Sequence, residues 1–173
     1  METWEEFKEK YEGSINSKKT LLNITLYGSY YPPKEELLLR DLKKVLIDNG
    51  YRKTILVKDN QSPGDDPLEI SQQCMLYSQI NLLIFTPKGK KHGLIDELAF
   101  LTSDSRMRDK VQFSIVFYRM SGKRSSIPDL SNSRIKRFGI QSREFKSSKH
   151  LKRIIVIETY WLMRKLISFG ILL

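Results

Sequence analysis

The chain has 173 residues, 40% apolar and 29% charged, which is one ordinary domain with enough apolar side chains to bury a core. Its single cysteine, Cys74, excludes an intrachain disulfide, and with only His92 and His150 beside it a structural zinc site lacks ligands, so no metal is expected. The charged opening is not a secretory signal, and the most apolar stretch, 154–173, is broken by Glu158, Arg164 and Lys165; a soluble, cytoplasmic protein with no membrane contact is expected.

In chain order, residues 2–12 predict a short amphipathic helix with Trp4, Phe7 and Tyr11 on one side, within an N-terminal helical extension over 1–18. Residues 21–27 (LLNITLY) predict a first strand ended by Gly28, and 29–33 a loop. A helix over 34–49 carries the stripe Leu38, Leu42, Val45, Leu46 and stops at Gly50. Residues 54–58 predict a second strand and 59–66 a turn-rich loop. Asp66, Pro67 and Glu69 then read as the start of a helix reaching about Tyr77.

A third strand over 80–86 is apolar almost throughout, as a strand covered on both faces should be. The basic loop 87–93 leads into a helix beginning over 94–101, and 111–118 is a fourth strand. Beyond a polar loop at 119–126, residues 127–137 predict a short helix, 140–145 a fifth strand and 149–169 a long helix. The apolar residues of that last helix cover more than one face, so it is either buried or pairs with another chain.

Strands and helices alternating in this way predict a single α/β domain with a mainly parallel five-stranded sheet and helices on both faces. The natural strand order is the flavodoxin-like 2-1-3-4-5. In such sheets a ligand sits at the topological switch point, beyond the carboxyl ends of the strands. That places the candidate site in the loops 28–31 and 87–93. Gly28 lets a ligand approach the backbone, Ser29 offers a donor and an acceptor, and Tyr30 can stack on a base. Thr86, Lys88, Gly89, Lys90, Lys91 and Gly93 surround a helix N-terminus, where phosphate is favoured. Neither a G-x-G-x-x-G fingerprint nor a P-loop is present.

Residues 1–118 hold 17 basic and 17 acidic side chains, whereas 119–173 hold 13 basic and 3 acidic, so the whole net charge of +10 lies in the last third. Such asymmetry suits an anionic partner, nucleic acid included, as well as a plain solvated face. Cys74, in a helix before a strand, reads as core, and His92 has no partner for a triad.

The stretch 55–101 resembles the middle of a TIR domain, on Asp59, Pro63-Gly64, Ser78, the strand 80–86 and the pair Glu97-Leu98, within a likeness covering roughly 20–120. TIR domains carry Trp-Cys four and three residues before the glutamate, where this chain has Gly93-Leu94. A glycine four residues before a glutamate, as in Gly93-Leu94-Ile95-Asp96-Glu97, is similar instead to nucleoside 2-deoxyribosyltransferases. Their acidic residue at the end of the third strand is Thr86 here. The likeness is thus to the broader TIR-like superfamily.

That resemblance implies a nucleotide ligand, NAD or a relative, and cleavage of its N-glycosidic bond as a glycohydrolase or deoxyribosyltransferase, with Glu97 as the catalytic carboxylate. It implies no resident cofactor. The alternative is a nucleotide-sensing or self-association module without turnover, a homo-oligomer formed through the last helix. A second alternative is nucleic-acid binding through the basic part 119–173.

Overall fold

The computed structural model of the protein describes residues 2–171. Its strands are β1 (Asn23–Tyr27), β2 (Lys53–Leu56), β3 (Ile80–Ile84), β4 (Ser114–Tyr118), β5 (Met120–Ser121), β6 (Arg124–Ser125) and β7 (Gln141–Glu144). Its helices are α1 (Trp4–Leu21), α2 (Pro33–Asp48), α3 (Pro67–Tyr77), α4 (His92–Ser103), α5 (Asp129–Phe138) and α6 (Ser148–Ser168). Five strands form an all-parallel sheet in the order β2-β1-β3-β4-β7. This is the expected flavodoxin-like order. The last strand is seventh only because a two-residue hairpin, β5 against β6, interrupts the predicted loop 119–126 with Gly122 at its turn.

Side chains alternate across each strand and so feed two cores. Ile24, Leu26, Leu82 and Phe117 pack under α2 and α6, whereas Tyr27, Leu83, Phe85 and Val116 pack under α3, α4 and α5. Every residue of β3 is buried, which is why it reads as an apolar run broken only by Asn81.

Three boundaries that differ from the sequence expectations have a visible local cause. Helix α1 runs to Leu21 instead of stopping near residue 12, because nothing between Gly13 and Thr20 breaks it. A capping box of Thr3 and Glu6 starts it, and Lys18 and Lys19 suit its final turn. Strand β2 stops at Leu56: the Asp59 carboxylate accepts from Leu56 N at 2.9 Å and draws Val57–Asn60 into a 3-10 turn. Ser105–Phe113 is also 3-10, opened by Asp104 accepting from Arg106 N at 2.9 Å, so β4 begins at Ser114 rather than at 111. Helix α6 buries one face, including Leu151, Ile155 and Leu162, and leaves Ile157 and Trp161 in solvent. Among the described residues, no helix is long and apolar enough to cross a membrane.

Candidate functional site

Helix α2 leaves β1 for one face of the sheet and α4 leaves β3 for the other, so the switch point falls between these neighbouring strands. The structure brings the two predicted loops together there and laces them to each other. Ser29 Oγ accepts from Lys90 N at 2.9 Å and Tyr31 N at 3.1 Å and donates to Tyr31 O at 2.6 Å. Thr86 Oγ1 donates to the Glu35 carboxylate and accepts from Gly89 N at 3.2 Å. Both hydroxyls are therefore committed to the chain's own loops.

The glycines divide. A Cβ on Gly89 would sit 2.6 Å from Thr86 Oγ1 and 2.8 Å from Ser29 Cβ, so the lacing requires a glycine there. A Cβ on Gly28 would meet the Leu39 side chain at 2.6 Å, which explains that glycine by packing against α2. Gly93, in the first turn of α4, has open space around it.

Tyr30 is half-buried, and its hydroxyl accepts from Lys58 N at 3.2 Å. Burial pushes this phenol up to about 12. Lys88 and Lys90 are exposed and have no carboxylate partner among the described residues, with Lys90 Nζ lying 4.6 Å from the centre of the Tyr31 ring. Lys91 turns back onto its own loop, donating to Pro87 O at 3.3 Å and Gly89 O at 3.1 Å.

Glu97 lies within electrostatic reach of Tyr30 in the first loop. It points from α4 toward α3, where Ser71 Oγ donates to its Oε1 at 2.6 Å. The residue as a whole is half-buried, but Oε2 is sealed from solvent and has no hydrogen-bond partner among the described residues. Burial pushes this carboxyl up to about 8; Ser71 pulls against that shift and Asp96 adds to it. The field of Glu97 reaches Tyr27, Tyr30 and Cys74, adding to the burial that already raises each of them. The raised Cys74 thiol is buried, which fits its reading as core. The Asp59 carboxylate is occupied, by Leu56 N and by Lys43 Nζ at 2.7 Å, and fastens the turn after β2 to α2.

Sequence reasoning missed Ser71, Glu35 and Asn81. Ser71 shares the buried face of α3 with Cys74 and Met75, so a small polar residue on an apolar face was its signal. Asn81 interrupts the run of β3 and accepts from the Tyr27 hydroxyl at 3.0 Å. Glu35 had no signal, since it looks like an ordinary first-turn acid of α2.

Two grooves lie away from the switch point. One of about 880 Å³ is bounded by the β5–β6 hairpin, α5 and the edge strand β7, and Lys123, Arg124 and Lys136 reach into it without carboxylate partners among the described residues. Another, of about 540 Å³, runs between α4 and α5. No protein-family model matches this chain, and no curated protein matches it.

Proposed function

We propose that the protein binds a nucleotide at the β1–β3 switch point and cleaves its N-glycosidic bond with the help of Glu97. The observation that carries this reading is Glu97 Oε2, a sealed and unpartnered oxygen on a carboxyl whose other oxygen is already fixed by Ser71. A buried polar atom without a partner is costly, and a ligand that supplies one recovers the cost. The resemblance to TIR-like proteins points to ribose as that ligand's centre.

At rest the carboxyl is protonated around neutral pH. A ligand with a positive N-ribosyl centre favours the carboxylate, and the proton is released. With NAD, the bond between C1′ and the nicotinamide nitrogen breaks and its electron pair leaves with nicotinamide. The carboxylate stabilises the cationic sugar by an amount typical of a preplaced charge in a dry site, about 3–4 kcal/mol. Water adds to C1′ and gives up a proton, so the products are ADP-ribose, nicotinamide and H⁺.

The test is incubation of concentrated protein with NAD, following nicotinamide release beside E97Q. Release by the wild type that disappears in the variant is expected. The rate rises with pH toward about 8 as the carboxyl ionises. Absence of release, with a nucleotide-dependent gain in thermal stability, would convert the reading to a sensor without turnover.

The 880 Å³ groove favours a second reading, nucleic-acid binding through 119–173, because Lys123, Arg124 and Lys136 line it against the one carboxylate of Asp129. That reading requires affinity falling steeply with salt and lost in K123E/R124E/K136E.

A further inference from the structure

Strand β7 is the outermost strand of the sheet, and no strand among the described residues pairs with its far side. Phe145 N donates to Tyr118 O at 2.8 Å, so the backbone groups of Gln141, Arg143 and Phe145 turn toward β4. Alternation along the strand turns those of Ser142 and Glu144 outward. Arg143 covers one of the outward groups, its Nη1 donating to Ser142 O at 2.9 Å. The N–H groups of Ser142 and Glu144 have no acceptor among the described residues. The opposite edge is closed differently: Leu56 N of β2 donates to the Asp59 carboxylate at 2.9 Å. An edge with unpaired backbone groups is a template for another chain.

The surroundings of this edge carry charge of one sign. Ser142 borders the 880 Å³ groove, whereas Arg143 turns to the other face of the sheet, where Glu158 accepts from its Nε at 2.8 Å. Lys123, Arg124 and Lys136 line the groove and have no carboxylate partner among the described residues. Of the three carboxylates in 119–173, Glu144 is paired with Lys146 and Glu158 with Arg143, so only Asp129 faces the three cations.

We propose that β7 takes an acidic, extended segment of a partner polypeptide as an added strand. Its carbonyl groups accept from the outward N–H groups of Ser142 and Glu144, and its alternate side chains, carboxylates, lie over Lys123, Arg124 and Lys136. In strand addition the backbone bonds supply affinity and alternate side chains supply specificity. A second copy of this chain does not fit that edge, because pairing β7 with β7 in one continuous sheet brings two cationic grooves onto one seam. Nucleic acid meets the same cations but has no need of the edge N–H groups, and that difference separates the two partners. Glu97 takes no part, so this proposal and the glycosidic reading stand or fall separately.

The test uses the full-length chain and two labelled probes of matched charge: a peptide of about ten residues alternating Glu with Thr, and a single-stranded oligonucleotide. Fluorescence anisotropy reads affinity, and NMR reads amide exchange at Ser142 and Glu144. The peptide is expected to bind and to slow exchange at both amides, and a Lys–Thr peptide is expected not to bind. K123E/R124E/K136E is expected to abolish binding of the acidic peptide. Ser142→Pro removes an outward N–H that pairing with β4 does not use, and is expected to weaken the peptide about tenfold. Ser142→Ala keeps that N–H and is expected to bind like the wild type. Should Ser142→Pro not fold, N-methylation of the peptide at alternate residues blocks the same pairing from the other side and is expected to abolish binding. Failure of the acidic peptide to bind overturns the proposal, as does binding that leaves exchange at both amides unchanged. An oligonucleotide that binds where the peptide does not overturns it as well, and returns the groove to nucleic acid.

Discussion

Ser71 and Glu97 join α3 to α4 through a 2.6 Å hydrogen bond that satisfies one carboxyl oxygen and leaves the other enclosed and unpaired. The pair fixes the orientation of the carboxyl proposed to act on the glycosidic bond. It also sets the proton affinity of that carboxyl, with consequences that can be measured without knowing the ligand.

The first concerns stability against pH. Folded Glu97 keeps its proton to about pH 8, whereas an ordinary glutamic acid releases it near 4.5. Between those values the native state binds one more proton than the unfolded state. This contribution to stability is fully present below about 4.5, declines as pH rises and is gone above about 8. The slope approaches 1.4 kcal/mol per pH unit, as for any single proton. E97Q removes it, so urea melts of variant and wild type diverge in favour of the variant as pH rises. Parallel curves would show an ordinary solvated carboxyl.

Ser71→Ala should act on the same group from the other side. The hydroxyl holds the carboxylate form, so its loss moves the Glu97 titration further up. It also removes one buried hydrogen bond, worth about 1–3 kcal/mol when a partner is left unsatisfied. An upward shift in the pH midpoint of nicotinamide release separates this effect from simple destabilisation. A lower midpoint would contradict the assigned role.

Two glycines of the loop after β3 should respond oppositely. Gly89→Ala pushes a methyl into Thr86 and Ser29, and overpacking of this kind costs about 1–3 kcal/mol. Gly93→Ala meets open space within α4 and should gain about 0.5–1 kcal/mol from helix propensity. Thermal melts of the two variants read both signs directly.

Ser29→Ala and Thr86→Ala should each cost about 1–2 kcal/mol of stability, since each hydroxyl serves the lacing of the two loops. Their effect on nucleotide affinity, measured by calorimetry, should be small beside that of E97Q. A large loss of affinity with unchanged stability would return these hydroxyls to the ligand.

Much of the fold was legible because its signals are local. The stripe Leu38, Leu42, Val45, Leu46 and the stop at Gly50 define α2 within one segment, and the mostly apolar run of β3 announces its burial on both faces. Boundaries slipped where a single side chain redirected the backbone, as Asp59 does at Leu56 and Asp104 at Arg106. Those bonds compete with strand pairing, and periodicity does not report which of them prevails.

Local pattern along the chain is enough to set the alternation of strands and helices, the strand order that follows from it, the confinement of the positive charge to 119–173 and the place of Glu97 on the helix after β3. Each depends on composition or on spacing along a few consecutive residues. Packing in three dimensions was needed to show that Ser71 meets Glu97, that Thr86 is held by Glu35, 51 positions away in sequence, and that Ser29 and Lys90 lace two loops into one rim. It alone showed α1 and the α4/α5 groove on opposite faces of the sheet. Contacts between distant segments exist only after the sheet has brought those segments together, and no local pattern in the chain encodes their partners.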